Sequence, residues 1–275
     1  TRGASIVVLY ITYDGLTDPL GASQIIPYLK GISSHQNGLI VLSFEKLERM
    51  GPNYDTVKSD IELYGIRWFP VRFTNRLGAF GKMWDLIKMY VIASFLSYKY
   101  KVRRVHARGH LSAQVAYFVK RILNTKLLFD FRGLWVDERV DKGGWDLNFL
   151  PHYLQYKYFK RVERKLLAQS DQVVVLTQRV VDEVVKLGVS SISKVTVIPC
   201  CADFNHFSLS SDTSKAKIKE AIGIPKESFV LGYLGSVGSM YLLDKTLLFF
   251  KMVLGKRVDA YILFITNDTS KMQNL

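Results

Sequence analysis

Three clusters in this chain combine residue types that can do chemistry. The first is Asp130-Phe131-Arg132-Gly133-Leu134-Trp135-Val136-Asp137-Glu138-Arg139, at the end of the apolar run Lys126 to Phe131. Asp130, Asp137 and Glu138 are potential acids or bases, and Arg132 can neutralise a phosphate. The same residues also suit a surface salt-bridge network, the commoner fate of an isolated charge pair. His106 and His110 flank Arg108 near the end of another apolar run, although a lone histidine is more often structural than catalytic. The second cluster is the loop Asp14 to Gln24, which leaves one apolar run and enters a helix-like segment. Backbone N–H groups at that helix start can face an anion, with Ser23 as the cap. The third, Gly235 to Ser239, leaves a later strand in the same way. A glycine after a strand usually reflects turn geometry alone. Two such loops, one in each half of the chain, suggest a ligand held between domains.

The elements that must position these clusters emerge from hydrophobic patterning. Short apolar runs rich in β-branched residues recur at Ser5 to Ile11, Leu39 to Ser43, Arg67 to Val71, Arg104 to Ala107, Lys126 to Phe131, Gln172 to Leu176 and Val195 to Ile198. Helix-like segments lie between most of them, at Ser23 to Ser33, Met83 to Tyr98, Leu111 to Leu123, Pro151 to Ala168 and Gln178 to Leu187. Continuous apolar strands alternating with helices predict a doubly wound α/β domain around a parallel sheet, with ligands outside the carboxyl ends of the strands. That domain spans 1–207. A polar stretch, Ser208 to Lys219, reads as a linker, and the alternation restarts with a strand at Phe229 to Leu234, a helix at Leu242 to Leu254 and a strand at Ala260 to Thr266. Residues 208–275 are too few for a second doubly wound domain, so this part reads as incomplete, with its remainder missing or outside the sequence.

Composition narrows the partners. Hydrophobic residues make up 48% and charged residues 23% of the 275, which excludes a disordered or low-complexity chain. With 38 Lys and Arg against 24 Asp and Glu, the formal charge is +14, so anionic partners are favoured. The span 67–108 concentrates that charge. Its one acid is Asp85, and aromatic residues such as Trp68, Trp84, Phe95 and Tyr98 are interleaved with the cations. The segment Met83 to Tyr98 is too short and too charged to cross a bilayer. It suits an amphipathic element on an anionic membrane, or equally a core-packed helix with a solvated basic face. No zinc-finger spacing, RNP-like aromatic motif or basic zipper is present, so nucleic acid is not an expected partner. The chain also lacks GxxxxGK[ST], GxGxxG, HExxH and CxxC, which disfavours several enzyme classes. Cys200 and Cys201 are adjacent, and a bridge between neighbours is strained. A reducing, cytoplasmic setting without a signal peptide is expected.

Taken in order, the motifs resemble those of bacterial family 4 glycosyltransferases of the GT-B fold. The resemblance rests on Tyr13 to Leu29 (YDGLTDPLGASQIIPYL), Ser43-Phe44-Glu45-Lys46, Asp130 to Arg139 (DFRGLWVDER), Ser170-Asp171 with Leu176-Thr177, and Ile198 to Asp203 with Phe207. In the second part it rests on Tyr233-Leu234-Gly235-Ser236 and Tyr241-Leu242-Leu243-Asp244. It implies two Rossmann-like domains. The N-terminal one would bind the acceptor, and the C-terminal one, here truncated, the nucleotide-diphosphate sugar. It further implies retention of anomeric configuration, no metal and no cofactor besides the donor, and action on a lipid-linked or polysaccharide acceptor at the inner face of the cell membrane.

By this resemblance Gly15, Gly21, Ser23 and Gln24 lie near the sugar diphosphate and acceptor, and Gly235 and Ser236 lie on the donor-phosphate loop. Three departures stand out. Arg132 occupies a place where many relatives carry histidine. Ser236 and Tyr241 stand where many carry Arg and Lys. The glutamate-x7-glutamate motif that holds the donor sugar and ribose is absent. The leaving charge therefore falls to Arg132, Arg108 or Lys245, with Arg132 as the expected phosphate stabiliser and Asp137 or Glu138 as acceptor contacts. The expected activity is hexosyl transfer, impaired in a chain this short. The alternative is a non-catalytic module that binds anionic lipid or glycan on the same scaffold.

Overall fold

The computed structural model describes residues 7–35, 38–74, 78–202, 204, 207, 209–237 and 241–266. The chain divides into two compact units, Thr1–Cys200 and Cys201–Leu275. The division falls before the Phe207 boundary read from the sequence.

The first unit is built on seven parallel strands: β1 (Val8–Thr12), β2 (Leu39–Glu45), β3 (Arg67–Arg72), β4 (Arg104–Arg108), β5 (Lys126–Phe131), β6 (Gln172–Val175) and β7 (Val195–Val197). Their spatial order is β3-β2-β1-β4-β5-β6-β7. The connecting helices are α1 (Ile26–His35), α2 (Leu47–Glu62), α3 (Gly78–Lys99), α4 (Gly109–Leu123), α5 (Trp135–Asp141), α6 (Leu150–Gln169) and α7 (Gln178–Lys186). Side chains alternate between two cores, as the period of a strand requires. Leu9, Ile11, Val105, Phe129 and Val173 pack with α3, α4, α6 and α7, while Val8, Tyr10, Leu39 and Val41 pack with α1 and α2. This is the doubly wound architecture that the strand–helix alternation predicts.

The order reverses between β1 and β4, the kind of switch point where open α/β sheets place a ligand crevice. Register aligns one row of residues there: Thr12 stands opposite Arg108, and Arg108 opposite Asp130.

In the second unit β8 (Val230–Leu234) and β9 (Tyr261–Ile265) pair in parallel, joined through α9 (Leu243–Leu254). The segment read as a linker holds a helix instead, α8 (Asp212–Ala221), whose first turn is capped by Ser211 Oγ accepting from Ser214 N at 3.3 Å. Helix-forming Lys, Ala and Glu with a Ser cap suffice there without an apolar stripe. Helix α2 was also invisible to periodicity, because Gly51 and Pro52 interrupt its few apolar positions. The first strand starts at Val8, and Ser5 and Ile6 of the expected strand lie outside the described residues.

Candidate active site

The loop after β1 is organised by a buried carboxylate from β2. Glu45, fully shielded from solvent, accepts Leu16 N at 2.8 Å and Thr17 N at 3.1 Å. It also accepts the hydroxyls of Thr17 at 2.6 Å and Ser43 at 2.5 Å. Burying a carboxylate is tolerable only with this degree of compensation. The N–H groups of Leu16 and Thr17, earlier in the same loop, are thus taken by the chain's own Glu45. Two glycines permit the close approach. A Cβ on Gly15 would stand 2.7 Å from Glu45 Oε2, and one on Gly21 would collide with the Gly15 carbonyl oxygen.

Ser23 does not cap the helix, contrary to the expectation from sequence. It lies inside a π-helical turn, Gly21–Ile25, and its hydroxyl donates to the Pro19 carbonyl at 2.8 Å. Such turns are rare and often mark functional sites. Here the turn leads into α1 and carries Gln24.

Gln24 is where the site converges. Its Oε1 accepts from Arg132 Nη2 at 3.0 Å and from Arg108 Nη2 at 3.3 Å. The two guanidinium groups come from the ends of β4 and β5, with Asp130 between them at 3.6 Å from Arg108 and 3.7 Å from Arg132. Those separations give attraction but no hydrogen bond. Among the described residues, Arg108 Nε and Asp130 Oδ1 are buried with no hydrogen-bond partner, although Arg108 Nε has the Asp14 carboxylate at 3.5 Å. Burial pushes the Asp130 carboxyl upward, against the pull of Arg132 and Arg108. The same burial, with the repulsion of both arginines, drives His106 down to about 3. His106 is therefore a neutral imidazole and not an acid catalyst at neutral pH.

A cavity of about 250 Å³ opens beside these arginines, lined by Tyr13, Asp14, Leu20, Arg108, Gly109, His110, Leu111, Arg132, Gly133, Trp135 and Glu138. Glu138 reaches it because Gly133 has no side chain: a Cβ there would lie 2.6 Å from Glu138 Oε1. Its other oxygen pairs with Lys142 Nζ at 2.9 Å. Asp137, expected beside the acceptor, is not among the lining residues. Its carboxylate accepts Tyr156 Oη at 3.0 Å and Lys160 Nζ at 2.9 Å. Lys160 continues to Glu163 at 2.6 Å, and Glu163 meets His110 Nε2 at 2.8 Å. Asp137 thus belongs to a network that steadies His110 from behind. On the far side of the cavity wall, Trp135 packs against Phe159 and Trp145.

The structure therefore brings Arg132, Glu138, Gln24 and the Gly15–Gly21 loop to one crevice. Gly235 and Ser236 belong to the second unit, where Gly235 N donates to Ile265 O at 3.1 Å and the Ser236 carbonyl accepts Tyr233 Oη at 2.8 Å. Gly238 and Ser239 of that loop, like Arg76 and Asp203, lie outside the described residues. Sequence reasoning missed the roles of Glu45, Glu163 and Trp135. For Glu45 a signal existed, an acid closing a strand whose only other polar residue is Ser43, where a free carboxylate is costly.

The family model for the glycosyl transferase 4-like domain matches residues 49–201, from α2 through the end of the first unit. The chain belongs to that family. Solved structures agree on the fold. The Anabaena protein HepE, determined with UDP and glucose, is 13% identical with a TM-score of 0.59, over 95% of this chain and 69% of that one. Sucrose-phosphate synthase from Thermosynechococcus elongatus is 12% identical with a TM-score of 0.62, over 95% and 70%. UDP-N-acetylglucosamine 2-epimerase from Rickettsia bellii is 13% identical with a TM-score of 0.53, over 98% and 64%. No curated protein matches the sequence. Together the family and these structures place the chain in the Rossmann-like GT-B class that its motifs resemble. Because transferases and an epimerase share this fold, the fold alone does not choose the chemistry; the family match points to glycosyl transfer.

Proposed function

We propose that this protein moves a sugar from a nucleotide-diphosphate donor to a lipid-linked or polysaccharide acceptor, with retention, without a metal, at the inner face of the cell membrane. An acceptor hydroxyl oxygen bonds to the anomeric carbon, the bond from that carbon to the diphosphate oxygen breaks, and the diphosphate leaves with the electron pair. The hydroxyl proton is released in the same overall exchange. The observation that carries this reading is the convergence of Arg108 and Arg132 on one neutral oxygen of Gln24 at the sheet's switch point. Two fixed guanidinium groups beside a small crevice suit a developing diphosphate charge.

Gly15, Gly21 and Gln24 would shape the wall against the donor and acceptor, and Glu138 would contact acceptor hydroxyls. Gly235 and Ser236 would serve the donor phosphates, with residues 1–207 on the acceptor side. HepE was solved with UDP-glucose, which makes a UDP-sugar the first donor to try.

Calorimetric titration of the folded chain with UDP, GDP and their sugar conjugates tests the donor class. Binding of one nucleotide supports a transferase. Absence of all binding favours the non-catalytic glycan- or lipid-binding alternative. In an active enzyme containing this chain, Arg132→Ala is expected to lower turnover by roughly 10²-fold. Unchanged turnover and donor affinity would remove Arg132 from the mechanism.

A further inference from the structure

Helix α3 presents Phe80, Trp84, Ile87, Val91, Phe95 and Tyr98 to solvent, with exposures from 46% at Ile87 to 76% at Tyr98. Steps of three and four residues keep these side chains in one stripe along the helix. Tyr90 of α3 stacks edge-on against Phe118 of α4 at 5.3 Å, and exposed Ile122 on α4 and Leu154 and Tyr158 on α6 add to the apolar surface. A contiguous exposed apolar surface of this kind marks an interaction site.

Charge identifies what it meets. The three helices carry ten Lys and Arg and only two acids, Asp85 and Glu163. Both acids are fully buried and occupied, Asp85 with Lys88 and Thr74 and Glu163 with Lys160 and His110. No carboxylate of these helices faces outward. Between them runs a groove of about 620 Å³ whose walls include Tyr90, Tyr117, Phe118, Arg121 and Lys165. By contrast Trp68 and Phe69 of β3 pack into the two cores, so only part of the basic span 67–108 is available.

We propose that the outer face of α3, α4 and α6 docks on an anionic lipid bilayer, with Trp84, Phe95 and Tyr98 entering the interface and Arg121 and Lys165 meeting lipid phosphates. Aromatic and aliphatic groups among cations suit that boundary. Among the described residues no helix is long and apolar enough to cross the membrane, which leaves α3 lying on the surface. A second copy of the chain fits poorly, because two faces of the same positive sign repel. The proposal deepens the membrane-side action of the proposed function and rests on it for location, but it does not depend on the donor.

Flotation of the chain with vesicles of phosphatidylcholine, alone or mixed with phosphatidylglycerol, tests it. The chain is expected to float with the mixed vesicles. The Trp84→Ser, Phe95→Ser double variant should lose roughly tenfold or more in partitioning, and Arg121→Glu, Lys165→Glu should lose the preference for phosphatidylglycerol. Circular dichroism confirms that each variant is folded, and nucleotide binding, measured separately, is expected to be unchanged. If the unaltered chain stays unbound to mixed vesicles, the membrane reading itself fails. If it floats and both variants float equally well, the membrane reading stands and this surface assignment fails. A dimer seen by light scattering, abolished by the apolar double variant and without flotation, overturns the proposal in favour of a second copy.

Discussion

Replacing Glu45 by Gln changes one atom at the centre of the site loop, and the hydrogen bonds around it fix the consequence. Each carboxylate oxygen accepts two hydrogen bonds: Oε1 from Leu16 N and Ser43 Oγ, and Oε2 from Thr17 N and Thr17 Oγ1. In the amide one oxygen becomes an NH₂ group that faces two donors. The hydroxyl can rotate to accept from it, but the backbone N–H cannot. One buried N–H is therefore left without an acceptor, and the remaining bonds lose the strengthening of a charged partner. An orphaned buried donor costs about 1–3 kcal/mol, and the weakened bonds add about 1 kcal/mol, giving roughly 2–4 kcal/mol in all. At 2–4 °C per kcal/mol for a domain of this size, the transition of the first unit should fall by roughly 5–15 °C. Thermal unfolding followed by circular dichroism reads this directly, with Glu45→Asp as a control that keeps the charge but shortens its reach. A Tm for Glu45→Gln within about 1 °C of the parent would refute the claim that Glu45 organises the loop.

Gly21→Ala places a methyl against the Gly15 carbonyl and Leu16 Cα, both backbone; a destabilisation of about 1–3 kcal/mol is expected in urea unfolding, whereas the same change at Gly31, with open space around it, should be stabilising or neutral. His106 gives a pH signature. Its folded value near 3 lies below the ordinary 6.5, so the unfolded chain binds the proton first. Stability associated with neutral His106 is then present above about pH 6.5 and is lost as pH falls toward 3, by on the order of 1–2 kcal/mol at pH 5. Urea midpoints at pH 7.5 and pH 5 should converge partly in His106→Gln; an identical drop in both proteins would show that other groups set the acid limb.

The parts of the fold legible in the sequence were those with apolar runs or stripes, whether buried, as in β1 and β2, or left exposed, as along α3. All seven strands of the first unit and α3, α4, α6 and α7 declare themselves through runs or stripes of apolar residues. Helices α2 and α8 did not: Gly51 and Pro52 interrupt the few apolar positions of α2, and α8 rests on its Ser211 cap and helix-forming polar residues with no buried side chain. The site was legible where an arginine ends an apolar strand, as at Arg132. It was not legible where partners lie far apart in the chain. Nothing local in Asp137 tells that Tyr156 and Lys160 will claim it, and nothing local in Ser23 tells that a π-helical turn will point its hydroxyl at Pro19.

The hydrogen bonds that define the site span 28 and 29 residues to Glu45, 84 residues between Gln24 and Arg108, and 108 residues between Gln24 and Arg132. Contacts of such separation form late, after chain entropy has been surrendered to bring distant strands together. Helices can therefore be present in a nascent or partly refolded chain before the crevice has any shape. During synthesis the loop after β1 waits for β2 to supply its acceptor, and the paired guanidinium groups wait for β5. Order at Gln24 thus reports completion of the central sheet, and a probe placed there would register folding of the whole first unit rather than of its own segment.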